Sequence, residues 1–222
     1  MQKINKLTLN NYSNYILKDI DLVINDNLII LGSNGSGKTT LSKALCGLLE
    51  LKANNPALIN YIPTKLEIFD EYMEVGEFLE LSRYDSKTSI DEVLEILGIS
   101  YLKDKPTKYI SSGESQLVLL ASSLLHNCIF TIFDEPTSNL DPLKTSKIFN
   151  ILNSTKYFDK KIIITHDFNL AYHLGYDILY MQEGKIKFRK TSKEFFTQSF
   201  LDEIFDGFVI NQDDNIIVRL RS

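Results

Sequence analysis

The sequence predicts an α/β protein: a largely parallel sheet with an antiparallel β subdomain and an inserted block of helices. Three observations carry that expectation. Short, wholly apolar runs such as Leu28-Ile-Ile-Leu31 read as strands covered on both faces. From Ile129 onward such runs alternate with segments of helical spacing, the pattern of a parallel sheet flanked by helices. Between about 64 and 125 the apolar period is helical, which marks an insert.

Each element follows from its local pattern. Ile4-Asn-Lys-Leu-Thr-Leu9 alternates apolar and polar residues and reads as a strand. Leu17–Ile24 reads as a second, antiparallel strand, and Ala57–Ile62 as another, stopped by Pro63. Helical spacing covers Val75–Leu81, Ile90–Leu97 and Gln116–Leu125. Strands return at Ile129–Phe133, Lys161–Thr165, Ile178–Met181 and Lys185–Phe188, with helices at about 143–154 and 167–174 between them. A helix over Ser192–Phe205 and two short strands close the chain.

The 222 residues fit one domain with an inserted subdomain. The expected division is a core of 1–63 and 126–190, a helical subdomain of 64–125 and a C-terminal appendix of 191–222. A net charge of -5 argues against a broad nucleic-acid surface. Cys46 and Cys128 lie in apolar segments and read as small core residues in a reducing compartment. No secretory signal is visible, and the longest apolar stretches, such as Leu117–Leu125, are too short to span a bilayer. If the protein works at a membrane, another chain supplies the spanning helices.

Gly32-Ser-Asn-Gly-Ser-Gly-Lys-Thr-Thr40 joins the 28–31 strand to the apolar-periodic segment Leu41–Leu49. Strand, glycine loop and helix form the context of a phosphate-binding loop. Its small residues let successive N–H groups turn inward, so Asn34, Gly35, Ser36, Gly37 and Thr40 are candidates to cradle phosphate oxygens. The positive end of the helix dipole adds to that field. Lys38 can reach the outer phosphates, and the Thr39 hydroxyl can bind the magnesium ion that accompanies them. The strand Ile129–Phe133 runs into Asp134 and Glu135. Asp134 can hold the magnesium shell, and Glu135 can polarise a water for attack on the terminal phosphate.

Three further motifs accompany these in fixed order: Ile110-Ser-Ser-Gly-Glu-Ser-Gln116, Pro136-Thr-Ser-Asn-Leu-Asp141 and Thr165-His166-Asp167. Together they resemble the ATP-binding-cassette (ABC) ATPases over essentially the whole chain. The resemblance implies a P-loop NTPase core of RecA-like type, with ATP and Mg2+ as ligands. It implies that Glu135 is the general base and His166 the switch histidine on the γ-phosphate and the catalytic water. Ser138–Asp141 is similar to the D-loop at a dimer interface, which makes Asp141 a candidate ATP contact. Ile110–Gln116 resembles the family signature, and its Ser111 hydroxyl and Gly113 N–H would form a second anion site. In the family two ATP molecules lie between two head-to-tail cassettes, so a homodimer or paired cassette is expected. Tyr12 stands where the family places an aromatic that stacks on adenine, with Tyr15 as its close competitor.

The sequence departs from the family pattern at Thr64, where Gln is usual, and at Ser112, where Gly is usual. Serine fits at 112 only if φ is negative. Glu114 replaces the usual Gln, as the family often shows. The absence of membrane domains from this chain implies a cassette at the cytoplasmic face of the cell membrane, docked on integral-membrane permease subunits and served indirectly by a substrate-binding protein. No nucleic-acid partner is expected. Thr165–Ala171 is similar to a run in ATPases serving importers of iron chelates, haem and cobalamin. The alternative is a cassette in a scaffold or signalling complex of cell division or efflux regulation. The apolar residues Leu66, Ile68, Phe69, Tyr72 and Met73 suggest a groove for a short permease helix, with Phe69 and Tyr72 as the expected contacts.

Overall fold

The computed structural model describes residues 6–49, 59–66, 72–138 and 140–219. In chain order the elements are β1 (Leu7–Tyr12), β2 (Ile20–Ile24), β3 (Leu28–Gly32), α1 (Lys38–Leu45), β4 (Ile59–Ile62), α2 (Val75–Ser82), α3 (Ile90–Leu97), α4 (Ser112–Leu124) and β5 (Phe130–Asp134). There follow α5 (Pro142–Asn153), β6 (Lys160–Ile164), α6 (Phe168–Leu174), β7 (Asp177–Gln182), β8 (Lys185–Lys190), α7 (Ser192–Phe195), α8 (Gln198–Phe205), β9 (Val209–Gln212) and β10 (Asn215–Val218). The chain divides into two compact units, Asn55–Lys161 and Lys6–Asn54 with Ile162–Ser222.

In the Asn55–Lys161 unit, β4 and β5 pair in parallel from Ile59 opposite Phe130 to Ile62 opposite Phe133. Helix α4 is the centre of the helical part, with α2, α3 and α5 packed against it. Its run Leu117-Val-Leu-Leu-Ala121 is buried throughout, as a helix covered on all sides must be. Capping sets the starts of the helices around it. Ser89 Oγ accepts the Glu92 N–H ahead of α3, and Gly98 ends that helix with φ 61°. Phe133 meets Phe158 edge to face at 5.1 Å.

In the second unit, β3 lies between β6 and β7, parallel to both, and all five of its residues are buried. β8 returns antiparallel to β7. The turn between them has two residues, Glu183 and Gly184, at φ 52° and 78°. That is the hairpin turn whose twist matches the strands. β1 and β2 form an antiparallel pair, with a register shift between Leu9 and Tyr12 where Asn11 takes φ 47°. In the C-terminal part Phe195 is fully buried among Tyr180, Phe188, Phe200 and Phe205. β9 and β10 form a hairpin across Asp213 and Asp214.

Several expected boundaries move. The second strand begins at Ile20 rather than Leu17, because residues 14–17 are taken up by a turn described below. The single helix expected over Ser192–Phe205 is two: Thr197 has extended backbone and returns its hydroxyl to Glu194 O at 2.9 Å. Residues 4, 5, 57 and 58 of the expected strands lie outside the described residues. Burial pushes the Cys46 thiol up to about 12 and the Cys128 thiol up to about 11, so both stay protonated at neutral pH. No helix among the described residues is long and apolar enough to cross a membrane.

Candidate active site

The phosphate-binding loop is folded around its own lysine. β3 ends at Gly32, Ser36 N–H closes a turn onto Ser33 O at 3.1 Å, and α1 begins at Lys38. Gly37 caps the helix at φ 99°, a conformation open to glycine. Lys38 is 7% exposed, and its Nζ donates to Gly32 O at 2.7 Å and Ser33 O at 3.1 Å. The ammonium therefore sits inside the loop, at the start of α1. Ser36 Oγ is buried with no hydrogen-bond partner among the described residues. A buried unsatisfied hydroxyl costs about 1–3 kcal/mol, so this atom fits a bound phosphate oxygen.

The β7–β8 turn holds the loop from outside. Gly184 N–H donates to Ser36 O at 3.1 Å, and Lys18 N–H donates to Gly184 O at 2.8 Å. A Cβ on Gly184 would collide with the Ile16 carbonyl. The segment it touches is a side-chain turn: Asn14 Oδ1 accepts Ile16 N–H at 2.8 Å and Leu17 N–H at 2.6 Å. Tyr12 is 8% exposed and its hydroxyl accepts Asn14 Nδ2 at 2.7 Å. Its ring is therefore part of the core and is not presented for stacking. Tyr15, at the tip of the turn, is fully exposed.

His166 lies at the junction of β6 and α6 and is exposed. Its neighbours are fixed. Thr165 N–H donates to Ile30 O at 3.2 Å, Thr165 Oγ1 accepts Asp167 N–H at 3.0 Å, and Asp167 Oδ1 caps α6 through Asn169 and Leu170 N–H at 2.9 and 3.0 Å.

In the Asn55–Lys161 unit, β5 ends at Asp134, which is 2% exposed. Its Oδ2 accepts the Tyr61 hydroxyl at 2.9 Å. A buried carboxylate at a strand end fits a hard, oxygen-seeking cation. Glu135 has φ 51°, uncommon for a residue with a side chain and frequent at functional turns. Ser138 N–H closes the turn onto Glu135 O at 3.1 Å. Asn139 lies outside the described residues. Asp141 is a helix cap: Oδ1 accepts Lys144 N–H at 3.0 Å and Oδ2 pairs with Lys144 Nζ at 3.0 Å. The Lys144 N–H bond holds its carboxyl below the usual range. Among the described residues no group of three or more His, Cys, Asp or Glu gathers to hold a metal. A magnesium ion that keeps waters and takes phosphate oxygens needs no such group.

The signature segment opens α4 with a capping box. Ser111 Oγ accepts Glu114 N–H at 3.2 Å, and Glu114 Oε2 accepts Ser111 N–H at 2.7 Å. That bond from Ser111 N–H holds the Glu114 carboxyl below its usual range. The Ser111 hydroxyl accepts here and keeps its own proton to donate. Ser112 is the first helical residue, so serine at this position carries no positive-φ strain. A Cβ on Gly113 would lie 3.0 Å from Lys144 Nζ, so this glycine leaves room for a cation at the helix start. Gln116 Nε2 donates to the Thr64 carbonyl, which holds Thr64 through its backbone.

A groove of about 510 Å³ in the same unit is lined by residues including Leu66, Phe78, Leu81, Tyr84 and His126. Leu81 is 75% exposed at its edge. Tyr84 stacks on His126 with ring centres 5.0 Å apart, and burial lowers the His126 pKa. Tyr72 lies outside this lining, with Lys108 Nζ over its ring at 4.9 Å. Ile68 and Phe69 lie outside the described residues.

The fold and the motif positions define a nucleotide-hydrolysing cassette, and comparison with known proteins identifies its family. The ABC transporter family profile matches residues 17–138. The chain is 32% identical over 225 residues to the energy-coupling factor transporter ATP-binding protein EcfA1 of Thermotoga maritima, covering 89% of this chain and 86% of that one. It is 32% identical over 179 residues to the zinc import ATP-binding protein ZnuC of Buchnera aphidicola, covering 76% of this chain and 75% of the relative. Among solved structures, cbiO1 from Clostridium perfringens, part of the ABC transporter complex cbiONQ, superposes with a TM-score of 0.71. That match is 24% identical and covers 91% of this chain and 94% of the other. An ATP-binding cassette of an ABC transporter in its ADP conformation gives 0.68 at 22% identity, with 91% and 98% covered. The chain belongs to the ATP-binding, ATP-hydrolysing subunits of the ABC transporters.

Gly184 and Asn14 tie the phosphate loop to its surroundings, and neither was singled out by the sequence motifs. Gly184→Ala puts a side chain at positive φ and against the Ile16 carbonyl. A positive φ alone costs a residue with Cβ about 1–2 kcal/mol. We expect the melting temperature to fall by about 5 °C and ATP to restore less of it than in the parent protein. Thermal melts with and without ATP check this; an unchanged melting temperature would show that the turn does not brace the loop.

Proposed function

We propose that this chain is the ATP-hydrolysing subunit of a membrane importer, working at the cytoplasmic face as one of a pair of cassettes with two ATP molecules between them. The observation that carries the reading is the Lys38 cradle: a buried ammonium held by the Gly32 and Ser33 carbonyls, at a helix start and in the same loop as the buried, unpartnered Ser36 hydroxyl. Phosphate oxygens can take the place of those carbonyls on Lys38 and supply the partner that Ser36 Oγ lacks. Tyr15 is the exposed ring next to this loop and is the better candidate for stacking on adenine. Thr39 and Asp134 would hold Mg2+, which when bound neutralises charge developing on the phosphate oxygens. Glu135 accepts a proton from the attacking water, and His166 holds that water and the terminal phosphate. Ser111 and Gly113 supply the second anion site, which closes on the ATP of a second copy. Asp141, held as a helix cap, shapes the turn ahead of α5.

Import is supported by relatives named for zinc import and for the energy-coupling factor transporter. The run Thr165–Ala171 supports a metal chelate as cargo, of the iron-chelate, haem or cobalamin kind. The Leu66–Leu81–Tyr84 groove is the surface that takes a short apolar helix of the permease. Part of a transporter complex is what the cbiO1 structure is described as, which supports a membrane partner for this chain as well.

Glu135→Gln keeps the shape and removes the base. ATP binding should persist, turnover should fall by about 10²–10⁴-fold, and an ATP-loaded dimer should accumulate on size-exclusion chromatography. Near-normal turnover would remove Glu135 from its assigned role. Leu81→Asp places a charge at the groove edge without touching the nucleotide residues. Basal ATPase should stay within about twofold, and the protein should leave the membrane fraction in flotation of cell lysates. A variant that still floats with the membranes would put the docking surface elsewhere.

A further inference from the structure

The motif after the switch histidine contains a residue that the nucleotide chemistry leaves unused, Asn169. Its side chain makes two hydrogen bonds to one residue far along the chain. Asn169 Nδ2 donates to Ile216 O at 2.9 Å, and Ile216 N–H donates to Asn169 Oδ1 at 2.8 Å. A carboxamide carries the same donor and acceptor as a peptide group. Here it pairs with the outward-facing peptide groups of β10 as a neighbouring strand would, in the manner of a ladder. Few contacts place a side chain so definitely, because both partners fix its direction as well as its distance.

The rest of α6 repeats the attachment. The Tyr172 hydroxyl donates to Asp214 Oδ1 at 3.1 Å, in the β9–β10 turn. Phe168 packs edge to face on Phe205 at 5.2 Å, and Tyr172 on Phe196 at 5.2 Å. Positions 168, 169 and 172 thus anchor a seven-residue helix to the C-terminal appendix. This helix begins two residues after His166, and Asp167 between them is spent on capping it. On that side the chain runs from His166 through Asp167 into the first turn of α6, which is tied to the appendix through Asn169.

We propose that Asn169 is a positioning residue for His166, and that through it the β9–β10 hairpin sets how fast the site turns over. The inference rests on the assignment of His166 as the histidine that acts on the terminal phosphate. The appendix then serves as a handle: a displacement of the hairpin swings the first turn of α6 and withdraws the imidazole without altering the phosphate loop.

The test is a double-mutant cycle on the purified full chain, with ATPase turnover, ATP affinity by calorimetry and melting temperature measured for each variant. Asn169→Leu keeps the side-chain volume and removes both hydrogen bonds. Its kcat should fall about tenfold, with ATP affinity changed less than about twofold. Tyr172→Phe loses only the outer tie and should lower kcat about twofold in the same direction. In a His166→Ala background, Asn169→Leu should have no further effect on residual turnover, because the residue it positions is gone. Equal loss in both backgrounds, or a lower melting temperature with normal kcat per folded molecule, would overturn the proposal and leave Asn169 as a packing residue. Wild-type turnover in His166→Ala alone would instead refute the assignment of the histidine itself, a separate result. If His166→Ala is inactive, unchanged kcat in both Asn169→Leu and Tyr172→Phe would still overturn the inference.

Discussion

The Lys38 ammonium, held by the Gly32 and Ser33 carbonyls, is the interaction on which the form of the glycine loop and its proposed nucleotide chemistry depend. A lysine this buried needs acceptors, since an unpaired buried charge is far too costly. The loop supplies them from its own backbone and so keeps its curled form without phosphate. On the proposed function, binding is an exchange of acceptors around one charge, and little of the loop has to refold. The exchange favours an anion because a charged phosphate oxygen binds an ammonium more strongly than a neutral carbonyl does. Gly184 N–H braces the loop from outside, 3.1 Å from Ser36 O.

A second regularity is that motif residues also serve as helix caps. Ser111 caps α4, Asp141 caps α5 and Asp167 caps α6, each accepting N–H groups of the first helical turn. Two of these caps adjoin candidate site residues: Gly113 follows Ser111 by two positions, and His166 directly precedes Asp167. A polar side chain at these points thus stabilises the helix start and sets the direction of its neighbour. Asn169 extends this logic over a longer range, since its partner is 47 residues away.

Local chemistry was the part legible in the sequence. The glycine loop, the acid pair after an apolar strand and the histidine at a strand end all depend on neighbours within a few residues. The helix Ile90–Leu97 lies where its spacing put it, because Ser89 and Gly98 mark both its ends. Features set by distant pairing were not legible. Tyr12 reads as an adenine platform by position, yet the register of β1 on β2 turns its ring into the core. Tyr61 reads as a strand residue, and only the pairing of β4 with β5 brings its hydroxyl to Asp134. The break in the Ser192–Phe205 helix follows from one hydroxyl returning to the backbone at Thr197, which apolar spacing does not record. The same holds for Asn169, whose pairing with Ile216 depends on where the β9–β10 hairpin lies.

The most direct test of the central claim is the affinity of Lys38→Ala for ATP with Mg2+, measured by calorimetry alongside circular dichroism of the fold. Losing one charged contact to phosphate in a buried site should weaken binding by about 100-fold, while the folded signal stays intact. Parent-like affinity in a folded Lys38→Ala protein would contradict the claim that this lysine is the centre of the nucleotide site.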